Sequence, residues 1–457
     1  MGNAIKRTLD TLQDHYNVLC LLLALFTLGI IGVGNALVVG VLGLVLCIQG
    51  LLLPSFRADG WFLLPLVFYN LFSMASSYVT FGNFIEGYAS TQLIFPVLYL
   101  LLVALDGEEL QFLRRSCVLL AGVVAAAGIG KFLLHAMRLN TGRLGGIIGG
   151  PNALGIFLVV SWFALRGCAL DEAEHARIYT RLLRLEPLLL AALALTLSMG
   201  SFVAMAIGIL ALLLLQKWDS WKSVFRYTCR VIAKAVLGVG TGLLLYLAAD
   251  RAEQRWLCVL ITVYLVALML GWEKLGLFLA AYPRMAAAIS FSGVLVAGVA
   301  VLVRPSSIAT FAERLAMMRN GLGYLGQNPL LGVGPYQWRR LNLYDADTYF
   351  NTYHIHNVLL HVGVELGLAA MLMLLVVIVR YYYKKTATPI QKAGFTAFVF
   401  HNLIDTGFFY LGLVAMAILT VGNPSKNCKS SNLLAKTLFA GMAVVFSYNI
   451  YYCLTNF

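Results

Sequence analysis

Apolar runs long enough to cross a lipid bilayer recur along the whole chain, and they constrain its fold more than any other feature. A helix needs about 17–25 largely apolar residues to span the hydrocarbon layer, and somewhat fewer where it is short or broken. Such runs lie near 17–32, 35–53, 61–79, 92–105, 116–136, 153–166, 186–199, 201–216, 235–249, 256–272, 286–303, 357–379, 393–421 and 437–455. The run 393–421 is long, and His401-Asn402 with Asp405 in its middle can mark a break. The expectation is an all-α, polytopic integral membrane helix bundle of about 12–15 transmembrane helices, forming a single transmembrane bundle over 1–457. The 61% of hydrophobic and 12% of charged residues exclude an ordinary soluble domain, which carries roughly 45–50% and about 25%. Polar residues precede the first run and no small-residue cleavage site follows it, so this run reads as a retained helix. The eight cysteines are scattered without a CxxC pair, which supports neither a disulfide framework nor a zinc cluster.

The 33 Lys and Arg exceed the 20 Asp and Glu, for a net charge of +13. In a soluble protein that excess would raise nucleic acid as a partner. In a multi-span protein it is first accounted for by the Lys and Arg that collect in cytoplasmic loops, so no nucleic-acid partner is expected. Placing Lys6 and Arg7 inside also puts Arg57, Arg114-Arg115, Arg166 to Arg184, Lys217 to Arg230 and Lys384 to Lys392 inside. The exceptions carry the information. The same register leaves Arg138, Arg143, Arg251 and Arg255 outside, together with an extracytoplasmic loop, 304–355, that holds Arg304, Arg314, Arg319, Arg339 and Arg340. Arginine outside runs against the insertion bias. One reason for it is a ligand with negative charge, which a planar guanidinium grips bidentately; the plainer one is an Arg facing solvent or lipid phosphates.

The long loop is expected to be partly helical. Ser306-Ser307 reads as a helix entry before Ala309 to Tyr324, and Asn328-Pro329 ends that helix. Gly332-Val333-Gly334-Pro335 makes a compact turn whose bare backbone can approach a ligand. His354 and His356 close the loop where the chain re-enters the membrane at Asn357. Two histidines are too few for a metal site, but one at the membrane rim near several Arg suits a general base or a donor to a phosphate oxygen. Asp345-Ala346-Asp347 has the D-x-D form that sugar-transfer enzymes use to hold a divalent cation, and it stays a minor option.

The run from Arg314 through Pro329-Leu330-Leu331-Gly332-Val333-Gly334-Pro335 to His356-Asn357, followed by Glu365-Leu366-Gly367, resembles the signature region of the bacterial O-antigen ligase and polymerase superfamily. Upstream, Arg143-Leu144-Gly145 with Gly149-Gly150-Pro151-Asn152 is similar to that superfamily's other outer-loop pattern. One departure is clear: relatives often carry Ser-Arg-Gly where this chain has Ser198-Met199-Gly200, so Arg143, Arg251 or Arg255 must stand in for that Arg or the donor site differs. The resemblance implies a multi-pass protein of the bacterial cytoplasmic (inner) membrane with its active site facing the periplasm. It further implies transfer of a glycan from an undecaprenyl-diphosphate carrier to a glycolipid or lipid-linked glycan acceptor, inverting and without a metal, through a histidine at the His356 position and arginines that hold the diphosphate.

Elementary chemistry points the same way. A departing diphosphate needs its growing charge stabilised, which two or three Arg can do without a cation. An acceptor hydroxyl needs a base close by, which His356 or Glu313 can supply. A groove between helices, open to membrane lipids, would receive the polyprenyl tail. The expected catalytic residues are His356, Arg314 and Glu313, and the expected diphosphate or substrate ligands are Arg143, Arg319, His354, Arg339, Arg340 and Arg251, with no metal and no cofactor. A transporter or flippase of lipid-linked sugars is the rival. It predicts ionisable groups near the midplane and matching halves, whereas Lys131 and Glu365 fall near span ends, Asp405 is the deepest charge, and no half-to-half symmetry is visible. Ligase and polymerase differ only in the acceptor, and the residues do not separate them; motif likeness leans to the ligase.

Overall fold

The computed structural model describes residues 16–31, 35–56, 58–138, 141–170, 181–303, 306–344, 350, 352–383, 386–410, 412 and 432–456. Its elements are helices: α1 (Tyr16–Ile31), α2 (Ala36–Leu52), α3 (Gly60–Phe81), α4 (Ala89–Gln92), α5 (Ile94–Ala104), α6 (Gly107–Met137), α7 (Pro151–Leu170), α8 (Glu186–Thr196) and α9 (Met199–Leu215). They continue with α10 (Trp221–Asp250), α11 (Leu257–Ala281), α12 (Pro283–Val303), α13 (Ser306–Gln327), α14 (Gln337–Tyr344), α15 (Val358–Leu366), α16 (Leu368–Tyr383), α17 (Pro389–Ile404) and α18 (Asn432–Asn456). Six of them, α3, α6, α7, α10, α11 and α18, are long and apolar enough to cross a membrane by length and composition. The fold is thus the polytopic helical bundle that the apolar runs demand.

Most runs and helices coincide, and the differences have local causes. The run 357–379 divides at Gly367, which adopts φ +89°, a conformation that favours glycine. The run 393–421 breaks after Ile404, where a 3₁₀ turn covers Gly407–Phe409. Helix α10 starts well before its apolar part, because Ser220 and Ser223 form a reciprocal capping box at its N-terminus. Lys222, Arg226 and Arg230 therefore ride on a helix rather than in a loop. Arg166, expected as a loop charge, lies in α7 and pairs with the fully buried Glu186 at 2.7 Å.

The chain gathers into two compact units, one of Met1–Ser116, Arg314–Thr388 and Asn402–Phe457, the other of Cys117–Glu313 and Pro389–His401. In the first unit α18 packs on α2, where Gly43 and Gly50 lie under the rings of Phe446 and Phe439. Small residues permit such close approach where the hydrophobic effect gives helices no reason to associate. Helix α16 packs on α3 in the same unit, and Asp59 caps α3 through Trp61 N while pairing with Arg380 at 2.9 Å. In the second unit α10 crosses α8 at Gly238 and Gly242, each against α8 atoms. There Glu186 is enclosed by Arg166, by Lys234 at 2.9 Å, and by the indole N–H groups of Trp162 and Trp272 at 3.0 and 2.7 Å. A carboxylate so deep in an apolar unit persists because each oxygen faces a cation and a donor.

A side chain at Gly367 would put its Cβ 1.9 Å from the Leu330 carbonyl oxygen. Gly367→Ala should therefore destabilise the protein by about 1–3 kcal/mol or more, from a forbidden φ and a backbone clash. Thermal unfolding in detergent checks this, with Gly441→Ala, which meets nothing within 4 Å, as the neutral reference.

Candidate functional site

The first unit builds its polar site around the break between α15 and α16. Ending α15 leaves carbonyls without helical partners, and the turn after α13 supplies the missing donors. Val333 N donates to Val364 O at 2.8 Å, Gly334 N donates to Glu365 O at 3.0 Å, and Leu368 N donates back to Pro329 O at 2.8 Å. The Ser76 hydroxyl, from α3, lies 2.7 Å from Leu331 O and 3.0 Å from Glu365 O. The compact turn predicted at 332–335 thus exists, and its backbone is spent on a helix end rather than left open to a ligand.

The Glu365 carboxylate completes this clamp. It is fully buried and accepts Tyr336 N at 2.9 Å and Trp338 N at 3.2 Å. Tyr336 sits at φ +60°, unusual for a residue with a side chain, and the bond to Glu365 offsets that strain. Around the same carboxylate, His361 Nε2 lies 3.4 Å away, one turn back on α15.

Three rings meet at this point. Ile355 N donates to His361 Nδ1 at 3.3 Å, which makes Nδ1 an acceptor and places the imidazole proton on Nε2. That Nε2–H faces Tyr88 Oη at 2.9 Å and His354 Nδ1 at 3.1 Å. His354 stacks on Phe409 with ring centroids 4.3 Å apart. Burial, then the neighbouring His356 and Arg339, lower the His354 pKa to about 4. His354 is therefore neutral near pH 7. Burial and the Glu365 carboxylate push the Tyr88 phenol well above its ordinary range.

Beside this network a second group forms on Asp405, just past the end of α17. Arg314 donates from Nη2 to Asp405 Oδ2 at 3.2 Å and from Nη1 to Ile404 O at 2.7 Å. His356 Nδ1 lies 3.4 Å from Asp405 Oδ1, an ion-pair distance without hydrogen-bond alignment. One carboxylate thus holds a guanidinium and an imidazole. The side chains of Arg314 and His356 stay 20% and 19% exposed, so both are reachable from outside.

The other expected residues are dispersed. Arg339 lies over the Tyr353 ring, 3.3 Å from its centroid, while Arg319 and Arg340 are exposed on α13 and α14. Glu313 is exposed, and it, Arg143 and Arg251 belong to the second unit. There Arg143 donates to Thr196 O at 3.0 Å and to Asn152 Oδ1 at 2.6 Å. Its guanidinium is therefore anchored at the end of α8, just before Met199. Arg251 is exposed at the end of α10. Asp345, Asp347 and Arg304 lie outside the described residues. Among the described residues no group of three or more His, Cys, Asp and Glu is placed to hold a metal ion. Asp405 and His361 were not singled out from sequence as site residues. A His and a Glu four positions apart within an apolar run was the available signal for His361 and Glu365.

The family model described as O-antigen ligase matches residues 188–375, a stretch that includes Arg314, His354, His356, His361 and Glu365. Over that segment the chain is similar to the O-antigen ligase family, which supports the superfamily that its motifs resemble. The match supports a function of the O-antigen ligase or polymerase type. No curated protein matches the chain significantly.

His354 folds with a pKa of about 4 against about 6.5 when unfolded. Below pH 6.5 the unfolded chain takes up this proton first, so the stability that neutral His354 contributes is full above 6.5 and falls away towards pH 4. His354→Gln, which cannot protonate, should flatten that part of the wild-type curve of melting temperature against pH. An unchanged slope would mean that His354 is not buried as a neutral ring.

Proposed function

We propose that the protein is a membrane glycosyltransferase that moves a glycan from an undecaprenyl-diphosphate carrier to an acceptor glycolipid at the periplasmic side of the inner membrane. The observation that carries this reading is the Arg314–Asp405–His356 group, a carboxylate shared between a cation and a base and still open to substrate. His356 accepts the acceptor's hydroxyl proton at Nε2, while Asp405, 3.4 Å from Nδ1, stabilises the imidazolium that forms. The hydroxyl oxygen attacks the anomeric carbon from the face opposite the diphosphate. The carbon–oxygen bond to the carrier breaks, and its electron pair leaves with the diphosphate. Arg314 stabilises that leaving charge, with Arg319, Arg339 and Arg340 of the same unit as further candidate ligands for the diphosphate or the sugar. His354, held neutral, serves as a hydrogen-bond partner to substrate rather than as a charge. Glu313 remains the alternative base.

This reading predicts that His356→Ala lowers transfer by about 10²–10⁴-fold without loss of membrane insertion. Full activity in that variant would sink the assignment. Asp405→Asn, which keeps the shape of the carboxylate but removes its charge, should lower kcat more than it raises KM. EDTA should leave the purified enzyme active, and strong inhibition would point to Asp345 and Asp347 instead.

The acceptor separates the two reaction types. Purified protein given a lipid-diphosphate repeat unit should yield product only when a distinct acceptor glycolipid is added. Chains that lengthen without that acceptor would make the protein a polymerase joining lipid-linked repeat units.

A further inference from the structure

Two imidazole nitrogens of the first unit face each other, His361 Nε2 and His354 Nδ1, 3.1 Å apart. A neutral imidazole carries one proton on two nitrogens, and the bond made at one nitrogen decides the other. The ring whose proton is settled first therefore settles its neighbour's. His361 is settled by the main chain, since Ile355 N, which can only donate, points at His361 Nδ1 from 3.3 Å. The ring is fully buried, with Trp338 and Phe409 edge-on to it at centroid distances of 6.2 and 5.1 Å. A ring turned over would leave that backbone donor facing carbon.

The proton of His361 is thus on Nε2, and this constrains His354. Two N–H groups cannot face each other across 3.1 Å, because both hydrogens would fill the gap and neither would meet a lone pair. His354 Nδ1 is therefore the bare nitrogen. Tyr88 Oη lies 2.9 Å from His361 Nε2 and 3.5 Å from His354 Nδ1, and neither turn of its hydroxyl places a second hydrogen between the rings. His354 is neutral near pH 7, since burial, then His356 and Arg339, lower its pKa to about 4. Its one proton is left on Nε2, whose direction diverges from that of Nδ1 and so leads away from His361. Stacking on Phe409, at 4.3 Å and 11°, fixes the plane of the ring. Thr352 holds the loop below it, accepting from His354 N at 3.4 Å and donating to His354 O at 3.1 Å. Among the described residues His354 Nε2 makes no hydrogen bond, and the side chain is only half-buried.

We propose that His361 is a positioning residue that fixes His354 as a permanent hydrogen-bond donor at Nε2, offered to an acceptor oxygen of the substrate. Which substrate brings that oxygen rests on the proposed function, whereas the placement of the protons does not. The order runs from a backbone amide through two rings: Ile355 N–H, His361, His354, substrate. His354 then selects for an oxygen with a free lone pair and does so without adding charge.

Magic-angle-spinning NMR of full-length, ¹⁵N-histidine-labelled protein in lipid nanodiscs tests this at neutral pH. The chain has seven histidines, and the His354 signals are those lost in His354→Gln. In wild type, His354 should show a protonated Nε2 and a bare Nδ1 displaced by an accepted hydrogen bond. His361→Leu should abolish that displacement, and His361→Gln, whose amide N–H reaches the place of Nε2, should restore it. Loss of one hydrogen bond is worth about tenfold, so in a transfer assay His361→Leu should lower kcat/KM about that far and His361→Gln should recover most of it. A purely structural role for His361 would leave the His354 Nδ1 signal where it was in folded His361→Leu, and that result overturns the proposal. Should His361→Leu fail to fold, the wild-type spectrum decides alone: a bare, displaced Nδ1 supports the relay, and any other state of Nδ1 overturns it. The spectrum needs no turnover. The expected proton placement in a protein that transfers no glycan would refute the glycosyltransferase and leave the relay standing, whereas an active transferase with a protonated His354 Nδ1 would do the reverse.

Discussion

The break between α15 and α16 is the constraint on which the first unit's chemistry depends. Interrupting a helix within an apolar run exposes carbonyls that neither lipid nor apolar side chains can satisfy. Here Val333 and Gly334 donate to those carbonyls, and Leu368 returns a bond to Pro329. These exchanges fix the turn after α13 against α15. Glu365 adds charge to the clamp by accepting Tyr336 and Trp338 N–H groups. The path of the chain into α14 is thereby set, which places Arg339 over Tyr353. A clamp made of backbone and one buried carboxylate gives these residues structural reasons for their places: Gly332 and Gly367 leave room for facing backbone, and Glu365 accepts two donors.

The two histidines of the loop are treated differently by this frame. His354 is enclosed by Tyr88, His361 and Phe409 and loses its affinity for a proton. His356, two residues on, stands at a carboxylate and keeps a path to the exterior. Residues of one type at i and i+2 thus acquire opposite roles from their surroundings alone. Burial removes charge from one, whereas the other stands at ion-pair distance from a carboxylate.

Much of the fold was legible in the sequence because the bilayer sets the length of an apolar helix, and most runs became helices within a few residues. What escaped notice was what apolar composition does not encode. The run 357–379 shows nothing at Gly367 to mark a break, since glycine is common in membrane helices and the bonds that stabilise the break come from 329–334. The start of α10 was hidden because Lys222, Arg226 and Arg230 look like a loop charge cluster until the Ser220 cap is recognised. At the candidate site, Arg314 and His356 stood out as polar residues in an outer loop, whereas their shared partner Asp405 lies beyond three further helices and shows itself only in three dimensions. Glu313, next to Arg314 in sequence, is exposed where Arg314 is half-buried, since one step along a helix is a rotation of about 100°.

Asp405 has two neighbours of positive character but a single negative charge. With His356 neutral, the trio carries Arg314's +1 against Asp405's −1 and is balanced. Once His356 takes a proton the trio carries +1. The electrostatic character of the site is therefore not constant through a reaction that protonates His356; it turns towards anions at the stage when a diphosphate would be leaving. A fixed pair of arginines would attract the charged carrier equally well before and after transfer. On the proposed mechanism, a cation that appears only with the proton would instead favour the separated anion over the bound donor, so that the sharing of one carboxylate would set the timing of the charge as well as its amount.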